Sequence, residues 1–243
     1  MKARYLKFYE KHSGRAALWF KLDSLFSRSL TRRDGLANRR TDYAMLQGNQ
    51  KLLELHLKLN NVLLEQTTNW NSHDYGGGYF YQGLDDISVT GMRDTTGRLN
   101  ALDMLEVVKD RTVLDIGSNS GFVSIGLARS ARDVVGVESN PYLNKLGRLA
   151  AEYLNLKNVT LHDSSFENFK TSSSFDVVTS FANHSTFDGN TQHTIEEYFS
   201  KCHSLLNDGG TLLFESHAPS YEGSQLDEVI KIISELGLPI AIS

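Results

Sequence analysis

The chain predicts an α/β fold: a doubly wound, mostly parallel sheet preceded by an N-terminal helical cap. Three observations carry that prediction. Residues 113–122, VLDIGSNSGF, read as a strand, a tight small-residue turn and the start of a helix. From there to His217, short β-branched runs alternate with helical patterns, which is how βα units are written. Residues 1–65, by contrast, carry helical periodicity throughout.

Bulk properties set the frame. With 243 residues, 40% of them hydrophobic, the chain can bury one sizeable core and a smaller appendage. No run of 18 apolar residues marks a membrane span, and no apolar h-region marks a signal peptide. The single Cys202 fits a reducing, cytoplasmic setting and sits on an apolar helix face, where packing is its expected role. The net charge of −4 is unevenly spread: residues 1–40 carry +8 and the remaining 203 carry −12. A basic arm on an acidic body suits RNA, anionic lipid or an anionic glycan. It equally suits the solvated face of an amphipathic helix, or an organelle transit peptide.

In chain order, helices are expected over residues 16–30 and 42–65, separated by a basic polar break at 32–40. Together they form a helical cap or arm, or a homodimerisation element. Residues 66–95 change character, with Trp70, Tyr75, Tyr79, Tyr81 and three successive glycines. Two readings stand for this stretch: an aromatic lid on Gly hinges, or a structured connector with buried tyrosines. In the lid reading, Trp70, Tyr79, Tyr81 and Arg93 contact substrate. Asp94 or Thr95 can cap a helix running to Val108.

The turn at 117–121 does not place glycines for a nicotinamide dinucleotide, because the third position of that fingerprint is Phe122. Asp115, Gly117 and Gly121 match D-x-G-x-G-x-G, with Asn119 at the middle glycine; Asn is the next best residue for a left-handed backbone. A second strand, 133–140, ends in Glu138, 17 residues beyond Gly121, where a carboxylate can accept from both hydroxyls of a ribose. Asn140-Pro141 opens a helix. A third strand at 159–161 is followed by Asp163, a fourth runs from Phe175 and ends in Ala182-Asn183-His184, and a fifth runs from Gly210. A last helix is expected over 225–236, after which 238–243 suffice for one further strand at most.

These motifs, in one register over residues 110–217, resemble the class I S-adenosylmethionine (SAM)-dependent methyltransferases. The resemblance implies a Rossmann-like sheet spanning residues 96–243, with SAM across the strand tips. It implies cofactor contacts from Asp115, Gly117, Ser118, Asn119, Gly121, Phe122, Glu138, Ser139, Asp163, Ser164, Ser180 and Ala182, with Asp163 accepting from the adenine amino group. It also implies two further strands closing the sheet, so with one at most in 238–243 the expectation is either a domain truncated at its C-terminus or a sheet closed differently. Candidate bases lie near the tips of strands four and five. His184 comes first, then His217 with Glu215, and Asn183 is a substrate contact. No ligand spacing demands a metal. Three functions follow: methyl transfer to a small-molecule or glycan hydroxyl, RNA methylation through the basic arm, and a catalytically silent SAM-binding scaffold.

Overall fold

The computed structural model describes residues 30–70, 75–183, 192–215 and 224–237. Five strands form one sheet: β1 (Thr112–Ile116), β2 (Asp133–Glu138), β3 (Val159–Asp163), β4 (Phe175–Phe181) and β5 (Leu206–Glu215). Their order is β3-β2-β1-β4-β5, and every pairing is parallel. Strand order reverses beside β1, which makes the mouth between β1 and β4 the switch point where such sheets open a ligand crevice. The central strands are apolar on both faces because helices cover both. Val113, Val134 and Val177 pack under one helical layer, while Leu114, Ile116 and Val178 pack under the other.

The helices are α1 (Leu30–Met45), α2 (Gln50–Asn69), α3 (Thr95–Ala101), α4 (Met104–Val107), α5 (Phe122–Leu127), α6 (Pro141–Tyr153), α7 (Ile195–Ser204) and α8 (Ser224–Glu235). Two boundaries differ from expectation. The basic stretch 32–40 is helical, and the break falls at 46–49, inside the expected second helix. Leu36, Asp42 and Tyr43 are buried, so tertiary packing holds α1 together across its polar composition. Asn49 starts α2 by accepting the Leu52 amide at 3.1 Å. The expected helix up to Val108 is capped by Asp94, which accepts the Gly97 amide, but Asp103 at φ 48° splits it into α3 and α4. The fifth strand starts at Leu206, four residues earlier than expected. Residues 1–29 and 238–243, which hold the first expected helix and any closing strand, lie outside the described residues.

Helices α1 and α2 share one core with the sheet domain. Leu52, Leu55, Leu59 and Leu63 of α2 cluster with Phe122 and Ile125 of α5 and with Leu146 and Ala150 of α6. The connector joins the same cluster through Tyr79, Phe80, Leu84, Ile87 and Val89, all buried. Cys202 is wholly buried, and burial pushes its thiol well up, consistent with packing. Among the described residues, no helix is long and apolar enough to cross a membrane.

Candidate cofactor cleft

The cleft opens at the carboxyl ends of β1, β2, β3 and β4 and encloses about 370 Å³, part of it open to solvent. Gly117 and Asn183 form one wall, Val137, Glu138 and Ser139 the second, and Ser164, Ser165, Phe166 and Glu167 the third, with Tyr198 of α7 behind them.

The turn after β1 sets the floor. Gly117 has φ +68°, a backbone that favours glycine, and a Cβ on it would lie 2.0 Å from Asn183 Oδ1 and push that side chain aside. Asn119 takes the left-handed conformation at φ 55°, as its substitution for the middle glycine predicts. Its amide donates to Glu138 Oε2 at 3.1 Å. Glu138 Oε1 accepts from the Asn140 amide at 2.9 Å and from Ser139 Oγ at 3.2 Å. Oε2 therefore keeps room for a further donor, and the Ser139 hydroxyl can rotate away to free a second site. Burial holds the Glu138 carboxyl above the usual range, partly countered by the Asn140 and Asn119 amides.

The three acids of the strand tips point to one face of the sheet, because Asp115 pairs with Gly136, two residues before Glu138, and Glu138 pairs with Asp163. Their surroundings differ. Asp115 is buried beneath α5, where Oδ2 accepts from Ser124 Oγ at 2.6 Å and Oδ1 from Thr179 Oγ1 at 2.8 Å. Desolvation raises its pKa and those two hydroxyls lower it. Asp163 lies against α6, its Oδ1 accepting from Arg148 Nη2 at 2.7 Å and from Asn144 Nδ2 at 2.8 Å. Of the three, Glu138 is the one that lines the cleft.

The remaining sequence candidates divide in the same way. Ser118 and Phe122 are buried under the turn, Phe122 packing against Phe80 at 6.3 Å between ring centroids. Gly121 abuts Leu161. Ser180 Oγ shares a 2.7 Å hydrogen bond with Tyr198 OH, which also accepts from Asn183 Nδ2 at 3.0 Å. Ala182 has φ 50°, and its amide donates to the Glu215 carbonyl. The Glu215 carboxylate pairs with Arg98 at 2.7 Å, and Arg98 lies over the Phe181 ring. Tyr79 is corrected from substrate contact to core: it is buried and donates its hydroxyl to Asp42. Tyr81 stacks near Tyr75 and under Arg93, and Trp70 meets Tyr142 edge-on. His184 and His217 lie outside the described residues.

Sequence reasoning missed Val137, Ser165, Phe166, Glu167 and Tyr198. Ser165, Phe166 and Glu167 directly follow Ser164, so reading on from that residue would have reached them. Tyr198 carries no local signal, since its place comes from α7 folding back onto β4. Among the described residues, no group of acidic, His and Cys side chains is arranged to hold a metal ion.

Residues 108–237 match the family described as "Methyltransferase domain". Over 73 residues the chain is 41% identical to the "Putative protein N5-glutamine methyltransferase" of Methanocaldococcus jannaschii, covering 29% of this chain and 36% of that one. The chain thus spans little more than a third of that relative's length. Among solved structures, it is similar to precorrin 8w decarboxylase of Methanobacterium thermoautotrophicum (20% identity, TM-score 0.49, 63% of this chain and 76% of that one). It is also similar to a SAM-bound amino pentose methyltransferase of Micromonospora echinaspora (22% identity, TM-score 0.41, 51% and 52%). A turn built on a left-handed glycine and a strand-tip carboxylate with acceptor capacity to spare both fit the SAM that the sequence motifs imply. The chain belongs to the methyltransferase domain family.

Proposed function

We propose that this enzyme methylates a hydroxyl of an uncharged small molecule or glycan. The observation that carries this reading is the charge of the cleft. Glu138 and Glu167 line it, and the arginines nearest the strand tips are committed within the chain, Arg98 to Glu215 and Arg148 to Asp163. A polyanionic acceptor would meet acids there in place of free cations.

SAM, when bound, supplies a sulfonium-activated methyl group. Glu138 would accept from the ribose hydroxyls, and Ser164, Ser165 and Phe166 would form the wall on the adenine side. Asp115 fixes β1 to α5 and β4, and Asp163 fixes the tip of β3 to α6; both act by holding the cleft's shape. Asn183, held by Tyr198, orients the acceptor, and His184, next in sequence, takes the hydroxyl proton. An imidazole suits that task because it titrates near neutrality.

The test is radiolabelled methyl transfer from SAM into a fractionated cell extract. Label in the small-molecule or glycan fraction, stable to mild base as an ether is, is expected. Label recovered in RNA and falling steeply with salt would overturn the reading in favour of the basic arm, and label in protein would favour an amide acceptor. Cofactor binding with no transfer to any fraction would select the silent scaffold.

A further inference from the structure

We infer that Gln82, which lies outside the cleft, is a positioning residue for the cofactor turn. The inference rests on the assignment of the cleft to SAM. Gln82 is 7% exposed and comes from the connector, 36 to 40 residues before the groups it touches. Its Oε1 accepts from the Phe122 amide at 3.0 Å and from Ser120 Oγ at 3.1 Å, and its Nε2 donates to the Ser118 carbonyl at 3.3 Å. One side chain thus clasps both sides of the turn and supplies an acceptor for the first amide of α5, which has no partner within its helix. Glu138 is drawn in through the same turn, since the Asn119 amide between these contacts donates to its carboxylate. Gln82 therefore sets the position of the group that meets the ribose without touching the ribose.

The connector is built to hold that amide still. The chain crosses itself at Gly83 and Gly91, where a Cβ on Gly83 would lie 2.3 Å from the Thr90 carbonyl oxygen and one on Gly91 2.2 Å from the Gly83 amide. The crossing is pinned to α1 by Asn38, which donates to the Gly91 carbonyl, and by Asp42, which accepts from the Thr90 amide and hydroxyl. The Gly83 amide donates to the Arg93 carbonyl at 2.9 Å. The N-terminal helices thereby reach the polar groups of the cofactor turn through a buried side chain, beside the apolar packing of α2 and Phe80 on Phe122.

The site asks for one acceptor and one donor, so a protonated carboxylic acid can replace the amide and an ionised one cannot. Gln82→Met fills the space without hydrogen bonds, and Gln82→Glu keeps the acceptor at every pH and the donor only when protonated. Calorimetric SAM affinity is measured on the full-length protein between about pH 5.5 and about pH 8, beside amide exchange at Phe122. Expected results are about a tenfold weaker Kd for Gln82→Met, faster Phe122 exchange, and a Gln82→Glu affinity that approaches wild type at the acid end and falls away at the alkaline end. Wild-type affinity in Gln82→Met, or a Gln82→Glu deficit that does not change with pH relative to wild type, overturns the positioning role. Should Gln82→Met fail to fold, the Gln82→Glu pH profile decides alone. A wild-type protein that does not bind SAM would instead refute the assignment of the cleft.

Discussion

Replacing Glu138 with alanine tests the cofactor assignment most directly. The variant loses every acceptor that this carboxylate offers: the bond from the Asn119 amide, those from Asn140 and Ser139, and the capacity left over for ribose. Losing charge-assisted bonds to a ligand costs about 1–3 kcal/mol, which is roughly 5- to 150-fold in Kd. The pH dependence makes the test sharper. Burial raises the folded pKa of Glu138 above its ordinary value of 4.5, so the folded protein holds this proton more tightly than the unfolded chain does. Its contribution to stability is therefore fully present below 4.5 and is lost as pH rises through the folded pKa. Cofactor affinity runs the other way, because the ionised carboxylate is the better acceptor for hydroxyls. Calorimetry across that window should show wild-type affinity rising with pH and the Ala variant weak and flat. A folded variant that binds SAM as tightly as wild type refutes the ribose assignment. Wild-type affinity falling as pH rises refutes the electrostatic argument.

Gly117→Ala combines a left-handed backbone cost of about 1–2 kcal/mol with displacement of Asn183 from Tyr198. Thermal melts should drop by about 2–8 °C, with SAM affinity reduced. Asp115→Ala strands the Ser124 and Thr179 hydroxyls in the core and should destabilise by about 1–3 kcal/mol. Asp115→Asn, whose amide those hydroxyls can still meet by rotating, should melt close to wild type; denaturant titration separates the two. His184→Ala should lower turnover on the true acceptor by about 10²- to 10⁴-fold with SAM affinity kept, and an unchanged rate would remove His184 from the chemistry.

Much of the sheet is legible locally. Each strand is a short apolar run whose neighbours in sequence are turn formers or periodic helices, so Val113, Val134, Val159 and Val177 announce their strands without help from the rest of the chain. The cofactor turn is legible for the same reason: Gly117, Asn119 and Gly121 sit within five residues, and their backbone demands are intrinsic to their type. The N-terminal helices are not legible where composition and burial disagree. The polar stretch 32–40 reads as a break, yet it lies in a helix that buries Leu36, Asp42 and Tyr43 against α2 and the connector.

By itself, then, the amino-acid order determined the βα alternation, the turn chemistry and the family, because these follow from periodicity and residue type within a few positions. Only tertiary structure decided which of three similar acids meets the cleft. Asp115, Glu138 and Asp163 share a face, but Ser124 and Thr179 claim the first and Arg148 and Asn144 the last. It alone also brought Gln82 under the turn and Tyr198 behind Asn183. Those pairings depend on how whole helices and the connector pack, and no local pattern encodes them.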